Sequence, residues 1–412
     1  MRWWAVVMVV AGAGRAETRA LWIGQVRVFD GTRVAERTNV LVEGGIIRAI
    51  GPSVRRPSGA RTVDGRGRTL LPGLIDALGH GVGTAALEEA AVFGVTTSLE
   101  MYAGPAEVAA SRKVASGATA AIFAAGHPAT VLKGHGSGPG VPPLGKPVAA
   151  QAWVDARLAE GSDFILIRHD GTESEEPPPV PFDRESLQAV VTAAHRRGKL
   201  AVARISYGTQ AVEAREAGAD GVITYGMIHW LGEGLEKLAA QRRVFVVPSV
   251  SVLAGACTGY DTGLAGDQRI TEYLTAAERA ALRNGTGGTK MSCGEDGVRR
   301  LKAAKVTVLA GTDAAEAGGV QGPGMHAELE LLVRYGLTPV EALRSATGAT
   351  ATAVGLVDRG EIAVGKRADL ILVAGDPTVD IRRTREIVAV WVRGQMVDRM
   401  RWKSRCAQGN AR

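Results

Sequence analysis

The sequence contains few cysteines, and the three that it has are far apart. Cys257, Cys293 and Cys406 are the only cysteines among 412 residues. None of them belongs to a Cys-x-x-Cys pair, which excludes a zinc site of the ribbon or finger type. Cys257 and Cys293 could form a disulfide in an oxidising compartment, and the sequence leaves that question open.

Aromatic residues are also scarce, at 5% of the chain, although the net charge is +7. The densest basic stretches, residues 55–68 and 399–412, are not interleaved with aromatic side chains. Nucleic-acid-binding surfaces combine basic patches with aromatic rings that stack on bases. We therefore interpret the charge as an arginine-rich, solvated surface and expect no nucleic-acid partner. We expect residues 399–412 to form a disordered basic tail.

Long apolar runs are missing, and the longest near the N-terminus covers only residues 3–13. This run follows Arg2 and precedes Gly14-Arg15-Ala16, a pattern typical of a secretory signal cleaved after Ala16. It is too short to cross a bilayer, so we expect no membrane span after cleavage. The mature protein is then predicted to be periplasmic or secreted. A buried first strand or an uncleaved anchor is the alternative interpretation.

The remaining sequence shows two different patterns of strands. Residues 21–71 contain short β-branched runs separated by Asp30-Gly31 and Gly44-Gly45, which predict hairpins, and residues 368–373 and 387–392 repeat this pattern. Between them, short apolar strands alternate with helical stretches, which predicts parallel βα units. We predict an α/β fold, with a (βα)8 TIM-type barrel over residues 71–355. A small composite β-sandwich domain would combine residues 17–70 with residues 356–398.

Several segments carry a resemblance to a known family. In their order and spacing, they are similar to segments of the amidohydrolase superfamily, particularly the subgroup near imidazolonepropionase and the periplasmic prolidase-type enzymes. The resemblance extends from about residue 21 to residue 398. The segments that carry it are residues 70–76 (LLPGLID), 94–97 (GVTT), 134–136 (GHG), 161–165 (GSDFI), 326–332 (HAELELL) and 360–370 (GEIAVGKRADL).

This resemblance implies a metal-dependent hydrolase that acts on amide or other carbon–nitrogen bonds. Zinc or another divalent ion would activate a water at the carboxyl ends of the barrel strands. An aspartate after the last strand would accept the proton. The implied ligands are a His-x-His pair, a carboxylated lysine, two further histidines and that aspartate.

Most of the implied ligands are replaced in this chain. Of the six implied ligand positions, only two keep a metal-binding residue, His80 and Asp313. The other four are occupied by Leu78, Leu166, Arg204 and Thr224. Leucine has no lone pair for a metal, and the guanidinium of arginine stays charged and repels one. His80 and Asp313 are too few ligands for a catalytic zinc ion. We therefore expect no bound cofactor, although the family implies zinc or another divalent metal.

Other residues are predicted to line a pocket at the same end of the barrel. Arg204 should face Asp313, because a guanidinium can pair with a carboxylate that has lost its metal. Arg168 should share the inward face of its strand with Leu166. His135 could line the pocket or be an ordinary loop residue. His326 could line it or make a structural hydrogen bond near a helix start.

The leading hypothesis is an exported pseudoenzyme that binds a small ligand, with an anionic ligand as one option, or that partners an active paralogue. One alternative is an active hydrolase with a single weak metal on His80 and Asp313, or with Asp313 as a metal-free base. Another alternative is a purely structural protein. The sequence does not decide whether the protein forms homo- or hetero-oligomers. An exposed pair of Arg168 and Arg204 would favour a ligand, whereas a mouth closed by ion pairs would favour a structural role.

Overall fold

A computed structural model describes most of the chain. The described residues are 20–114, 117–171, 179–180, 182–224, 244–252, 262–284, 295–314 and 320–409. The predicted signal segment, residues 1–16, lies outside them, as do Cys257 and Cys293. Over the ranges given, no helix has the length and apolar character needed to cross a membrane.

Strands and helices alternate through the middle of the described chain. The strands are β1 Leu21–Phe29, β2 Val34–Glu43, β3 Ile46–Gly51, β4 Arg61–Asp64, β5 Arg68–Pro72, β6 Leu74–Gly79, β7 Val95–Glu100, β8 Ala121–Ala124, β9 Ile165–Arg168, β10 Ala201–Arg204, β11 Gly221–Ile223, β12 Phe245–Val247, β13 Thr307–Val308, β14 Leu370–Ala374, β15 Ile387–Val392 and β16 Gln395–Met396. The helices are α1 Thr84–Val92, α2 Pro105–Val114, α3 Ala150–Ala159, α4 Arg184–Arg196, α5 Gly208–Ala217, α6 Gln268–Thr271, α7 Ala276–Asn284, α8 Glu295–Ala303, α9 Pro323–Arg334, α10 Pro339–Ser345, α11 Gly348–Ala353 and α12 Arg399–Ala407.

Strands from the two ends of the chain pair in one sheet. Its order is β16-β15-β14-β5-β1-β2-β3, with β4 pairing with β1. The two ends meet where β5 pairs antiparallel with β14, with Leu71 opposite Ile371. Alternate residues of β14 face opposite sides of the sheet. Leu370 belongs to the apolar cluster on one side, and Ile371 to the main core on the other.

The hairpin between β2 and β3 shows why these segments form tight turns. Gly44 and Gly45 connect the two strands with φ angles of 58° and 79°. Both angles are in the left-handed region, as a type I′ turn requires, and glycine adopts it without steric cost. The hairpin predicted at Gly44-Gly45 is confirmed.

Two further sheets contain only parallel strands. One has the order β6-β7-β8, and the other has the order β13-β12-β11-β10-β9. Backbone hydrogen bonds connect the two sheets at two places, one next to β8 and β9 and one next to β6 and β13. Ala129 donates to Leu166, at 2.7 Å, beside β9, and Ala77 of β6 donates to Ala310, at 2.9 Å, just after β13. The α/β fold with parallel strands is confirmed.

Helix α4 illustrates how the connecting helices are specified. Its N-cap residue Asp183 accepts a hydrogen bond from the backbone N–H of Ser186 at 2.7 Å. Leu187 and Val190 on its inner face are fully buried. The chain leaves the helix at Gly198, whose φ of 64° is left-handed. The residues that flank α4 therefore account for where it begins and where it ends.

The C-terminal segment is ordered, so the prediction of a disordered basic tail is wrong for residues 399–409. Helix α12 begins after Asp398, whose side chain accepts a hydrogen bond from the N–H of Arg401. Trp402 is buried and donates its indole N–H to the carbonyl oxygen of Tyr273 at 3.0 Å. The guanidinium carbon of Arg399 lies 4.1 Å from the centre of the Tyr273 ring. Net charge alone is therefore a poor guide here, because one buried tryptophan anchors the segment.

Candidate functional site

Two neighbouring parallel strands each end in a buried arginine. Arg168 is the last residue of β9 and Arg204 the last of β10, and the two are directly paired in register. Their side chains are only 9% and 2% exposed. Buried guanidinium groups need anionic partners, because desolvation of an isolated charge costs several kcal/mol.

Asp170 supplies that partner to both arginines. Arg168 contacts it in a bidentate manner, with Nε 2.8 Å from Oδ1 and Nη2 3.0 Å from Oδ2. Nε of Arg204 lies 3.0 Å from the same Oδ2 atom. His135 Nδ1 lies 3.1 Å from that atom as well. Burial alone would raise the pKa of Asp170, but the His135 contact and the charge and hydrogen bonds of Arg168 hold it below the ordinary value.

Asp313 is the second carboxylate of the cluster. Its Oδ2 lies 3.8 Å from Nη1 of Arg204, and both side chains are almost fully buried. Its backbone N–H donates to the carbonyl oxygen of Leu78 at 2.8 Å. Its φ of 46° is left-handed, which is rare for a residue with a β-carbon and marks a strained position. The predicted ion pair between Arg204 and Asp313 is present, but Asp170 is nearer to Arg204.

An aromatic ring covers one side of the arginines. The guanidinium carbons of Arg204 and Arg168 lie 5.1 and 5.7 Å from the centre of the Tyr102 ring. The ring of His80 packs against Tyr102 from another direction, with 4.9 Å between the ring centroids. His80 is thus placed beside the cluster as an aromatic neighbour. We call Tyr102, Arg168, Asp170, Arg204 and Asp313 the arginine–aspartate cluster.

Leu78 and Leu166 lie in an apolar cluster to which strands of both parallel sheets contribute. Both are at most 1% exposed, and they belong to one cluster of buried side chains. Leu78 packs closely, because a β-carbon placed on Gly311 would come within 2.7 Å of the Leu78 β-carbon. Other members of this cluster include Leu99, Val202, Ile223, Val247 and Leu309.

Thr224 and His326 are placed differently from each other. Thr224 follows β11, is buried, and donates its backbone N–H to Val247. His326 is near the start of α9, with Nδ1 3.0 Å from Thr384 Oγ1 and Nε2 3.1 Å from the carbonyl oxygen of Phe93. Burial lowers the pKa of His326 to about 3, so the ring is neutral. The contacts of His326 support the structural alternative and do not place it in the arginine–aspartate cluster.

Sequence reasoning missed several buried acids near these strand ends. Asp76 accepts hydrogen bonds from the N–H of Leu78 and from the N–H and hydroxyl of Thr312, and burial raises its pKa. Burial also raises the pKa of Glu100 to about 7, against the opposing effect of His80. Asp170 was missed as well, although it follows Arg168 by two residues at a strand end. That spacing was the available signal, because such neighbours lie on the same side of an extended chain.

A family model described as "Amidohydrolase family" matches residues 69–397. The chain belongs to the amidohydrolase family. The match covers every strand of the two sheets that contain only parallel strands, β6 to β13, and both carboxylates of the cluster. A comparison with curated protein sequences finds no significant match.

Solved structures of other amidohydrolase-fold proteins are similar over nearly the whole chain. A putative prolidase from Bifidobacterium longum is 22% identical with a TM-score of 0.73, and the match covers 95% of this chain and 100% of that one. A Xaa-Pro dipeptidase with bound methionine is 24% identical with a TM-score of 0.71, covering 92% and 99%. A molinate hydrolase is 19% identical with a TM-score of 0.72, covering 93% and 96%. At these identities the likeness concerns the fold.

Amidohydrolases usually use divalent metals, so the residues at the implied ligand positions can be tested for fit. They do not fit. Leu78 and Leu166 are packed among apolar side chains and offer no donor atoms. A cation already occupies the neighbourhood of Asp313, because Arg204 is 3.8 Å away. In the part of the chain that the structure describes, no group of three His, Cys, Asp or Glu side chains could hold a metal ion.

Proposed function

We propose that this protein is a non-catalytic amidohydrolase, a pseudoenzyme in which buried ion pairs replace the metal centre. The observation that carries the proposal is the position of Arg204 between Asp170 and Asp313, at 3.0 and 3.8 Å. A catalytic zinc ion needs about three protein ligands and an open position for water. Here a permanent cation occupies that region, and it cannot lose a proton to make room for a metal.

The burial of the cluster also favours a structural role over binding of an anionic ligand. Arg168 makes two hydrogen bonds to Asp170, and its side chain is 9% exposed. Arg204 is buried more deeply still. Both guanidinium groups are therefore engaged inside the protein, where an incoming anion would have to displace Asp170. Strand ends that are closed by ion pairs are what we expect of a barrel that has lost its catalytic residues and kept its fold.

The hydrolase alternatives have weaker support. A single metal on His80 and Asp313 would have to bind beside the Arg204 cation, which repels it. A metal-free mechanism would need Asp313 to accept a proton while the same guanidinium competes for its Oδ2 atom. The family and the fold are those of hydrolases, but fold alone does not establish activity.

The finer architecture and the location of the protein are part of the same proposal. We propose that β6 to β13 close into an eight-stranded barrel over residues 71–355, which the hydrogen bonds between the two parallel sheets support. Residues 17–70 and 356–398 would form the β-sandwich domain, in keeping with the sheet that their strands share. Export to the periplasm or the medium rests on the N-terminal sequence, and the first residue of protein secreted by the native host would test it.

Elemental analysis of the purified mature protein tests the central claim. We expect less than stoichiometric zinc, and no hydrolysis of a Xaa-Pro dipeptide, the substrate type named for one similar structure. The matched comparison is a variant with the implied ligands restored, which should bind zinc: Leu78→His, Leu166→Lys, Arg204→His and Thr224→His. One zinc ion per unmodified chain would contradict the proposal. So would hydrolysis that is lost in Asp313→Asn.

A further inference from the structure

A cavity of about 500 Å³ lies at the amino ends of β9, β10 and β12, whereas the arginine–aspartate cluster lies at the carboxyl ends of β9 and β10. Phe164 borders it immediately before β9, Lys199 shortly before β10, and Phe245 at the first position of β12. The segment that leaves α11, residues 352–356, forms another wall. A neighbouring cavity of about 430 Å³ shares Leu200 and Phe245 with it.

The walls of the cavity are mainly apolar. Ligand pockets of this size are typically lined by hydrophobic and aromatic side chains with a few polar groups that fix orientation. The ring of Phe245 lies against β11, because a β-carbon on Gly221 would come within 2.1 Å of the ring. The apolar lining side chains include Leu99, Met101, Phe123, Phe164, Val202 and Phe245.

Two charged side chains line the cavity, and their situations differ. The carboxylate of Asp163 is engaged by Arg112 and accepts a hydrogen bond from the N–H of Ala124 at 2.8 Å. Lys199 makes no side-chain hydrogen bond or ion pair with any residue that the structure describes. The cavity therefore combines a large apolar wall with one cation that is available to a ligand.

We propose that this cavity binds a small amphiphile with an apolar body and a carboxylate head, with the head placed at Lys199. The apolar body would bury its surface against the phenylalanine rings, which supplies about 25 cal/mol per Å² of apolar area. The charge of Lys199 would select an anionic head over a neutral one. Barrel enzymes assemble their active sites at the opposite ends of the strands. The site is thus separate from the ion-pair cluster, and its function goes beyond the proposed loss of catalysis.

Calorimetric titration of the full-length mature protein with decanoate and with decanol tests the head group. We expect decanoate to bind more tightly than decanol. In Lys199→Gln the affinity for decanoate should fall about tenfold, the worth of one charge-assisted contact, while decanol is unaffected. Absence of decanoate binding in the parent would overturn the proposal, as would equal affinities for the two compounds.

A pair of valine variants tests the location. Val354 lines the cavity and is only partly buried, so Val354→Trp should block the space and abolish decanoate binding. Val357 is 81% exposed and does not line the cavity, which makes Val357→Trp the matched control. Circular dichroism would show that both variants are folded. Decanoate binding that survives in folded Val354→Trp, or that is lost equally in both variants, would refute the assignment.

Discussion

Replacing Arg204 by methionine removes the cation at the centre of the buried cluster while keeping much of the side-chain volume. Asp170 would lose a contact at 3.0 Å, and Asp313 would lose its cation at 3.8 Å. Asp170 keeps its bidentate partner Arg168 in this variant. The electrostatic environment of Asp313 therefore changes more than that of Asp170.

The size of the effect follows from these distances. With an effective dielectric constant of about 20, two unit charges attract by about 5.5 kcal/mol at 3.0 Å and by about 4.4 kcal/mol at 3.8 Å. Part of this energy is offset, because the buried guanidinium no longer has to be desolvated. Removal of one partner from a buried ion pair typically costs about 3–5 kcal/mol, and we expect Arg204→Met to lower the free energy of unfolding by that amount.

Urea unfolding followed by tryptophan fluorescence measures the change. The double variant Arg204→Met with Asp313→Asn should recover at least half of the loss, because it removes the unbalanced carboxylate as well. Arg66→Met is the control, since Arg66 pairs with Asp64 on the exposed surface and its loss should leave the midpoint unchanged. If Arg204→Met unfolds at the same urea concentration as the parent, the cluster is not the stabilising element inferred here.

Three further predictions concern other parts of the fold. Burial raises the pKa of Glu328 from its ordinary 4.5 to about 8, so the folded state holds a proton that the unfolded state releases, and stability falls as the pH rises between these values. Glu328→Gln should make this decline smaller, which urea midpoints at pH 5 and pH 8 would show, while Glu100 and Asp76, whose pKa values burial also raises, keep their own contributions; an equal decline in both proteins would contradict it. Thr338 accepts a hydrogen bond from the N–H of Glu341 in a capping box, and Thr338→Ala should cost about 1 kcal/mol, with Thr192→Ala on the exposed face of α4 as a comparison. Trp402→Ala should cost about 3–5 kcal/mol and make residues 399–409 sensitive to trypsin, whereas an unchanged digestion pattern would mean that this residue does not anchor the helix.

The sequence was most informative where local rules and the global fold agree. Glycine pairs between β-branched runs predicted the hairpin of β2 and β3, because only glycine adopts the required angles easily. The alternation of apolar strands and helices predicted the parallel sheets. The family resemblance identified Arg204 and Asp313 as residues at the carboxyl ends of strands of one sheet, and the alternation of side chains along β9 then placed Arg168 on the same side.

The rest depended on contacts that no local pattern encodes. Asp170 binds both arginines, but it is not at an implied ligand position. A search for replaced metal ligands therefore did not identify it. His326 was ambiguous because its partners, Phe93 and Thr384, come from distant parts of the chain. Helix α12 was missed because the prediction for this segment used only its basic composition. Its stability comes from Trp402, which packs near Tyr273.

The pairing of β5 with β14 sets a condition on how the protein is made. The hydroxyl of Thr69, in β5, donates to the carbonyl oxygen of Gly375, which lies 306 residues further along the chain. Ribosomes add about 5–20 residues per second, so roughly 15–60 s separate the synthesis of these two partners. During that interval one edge of β5 has no strand beside it. The sheet that begins with β1 therefore cannot be completed until nearly the whole polypeptide has been translated. Only then can this sheet reach its native stability.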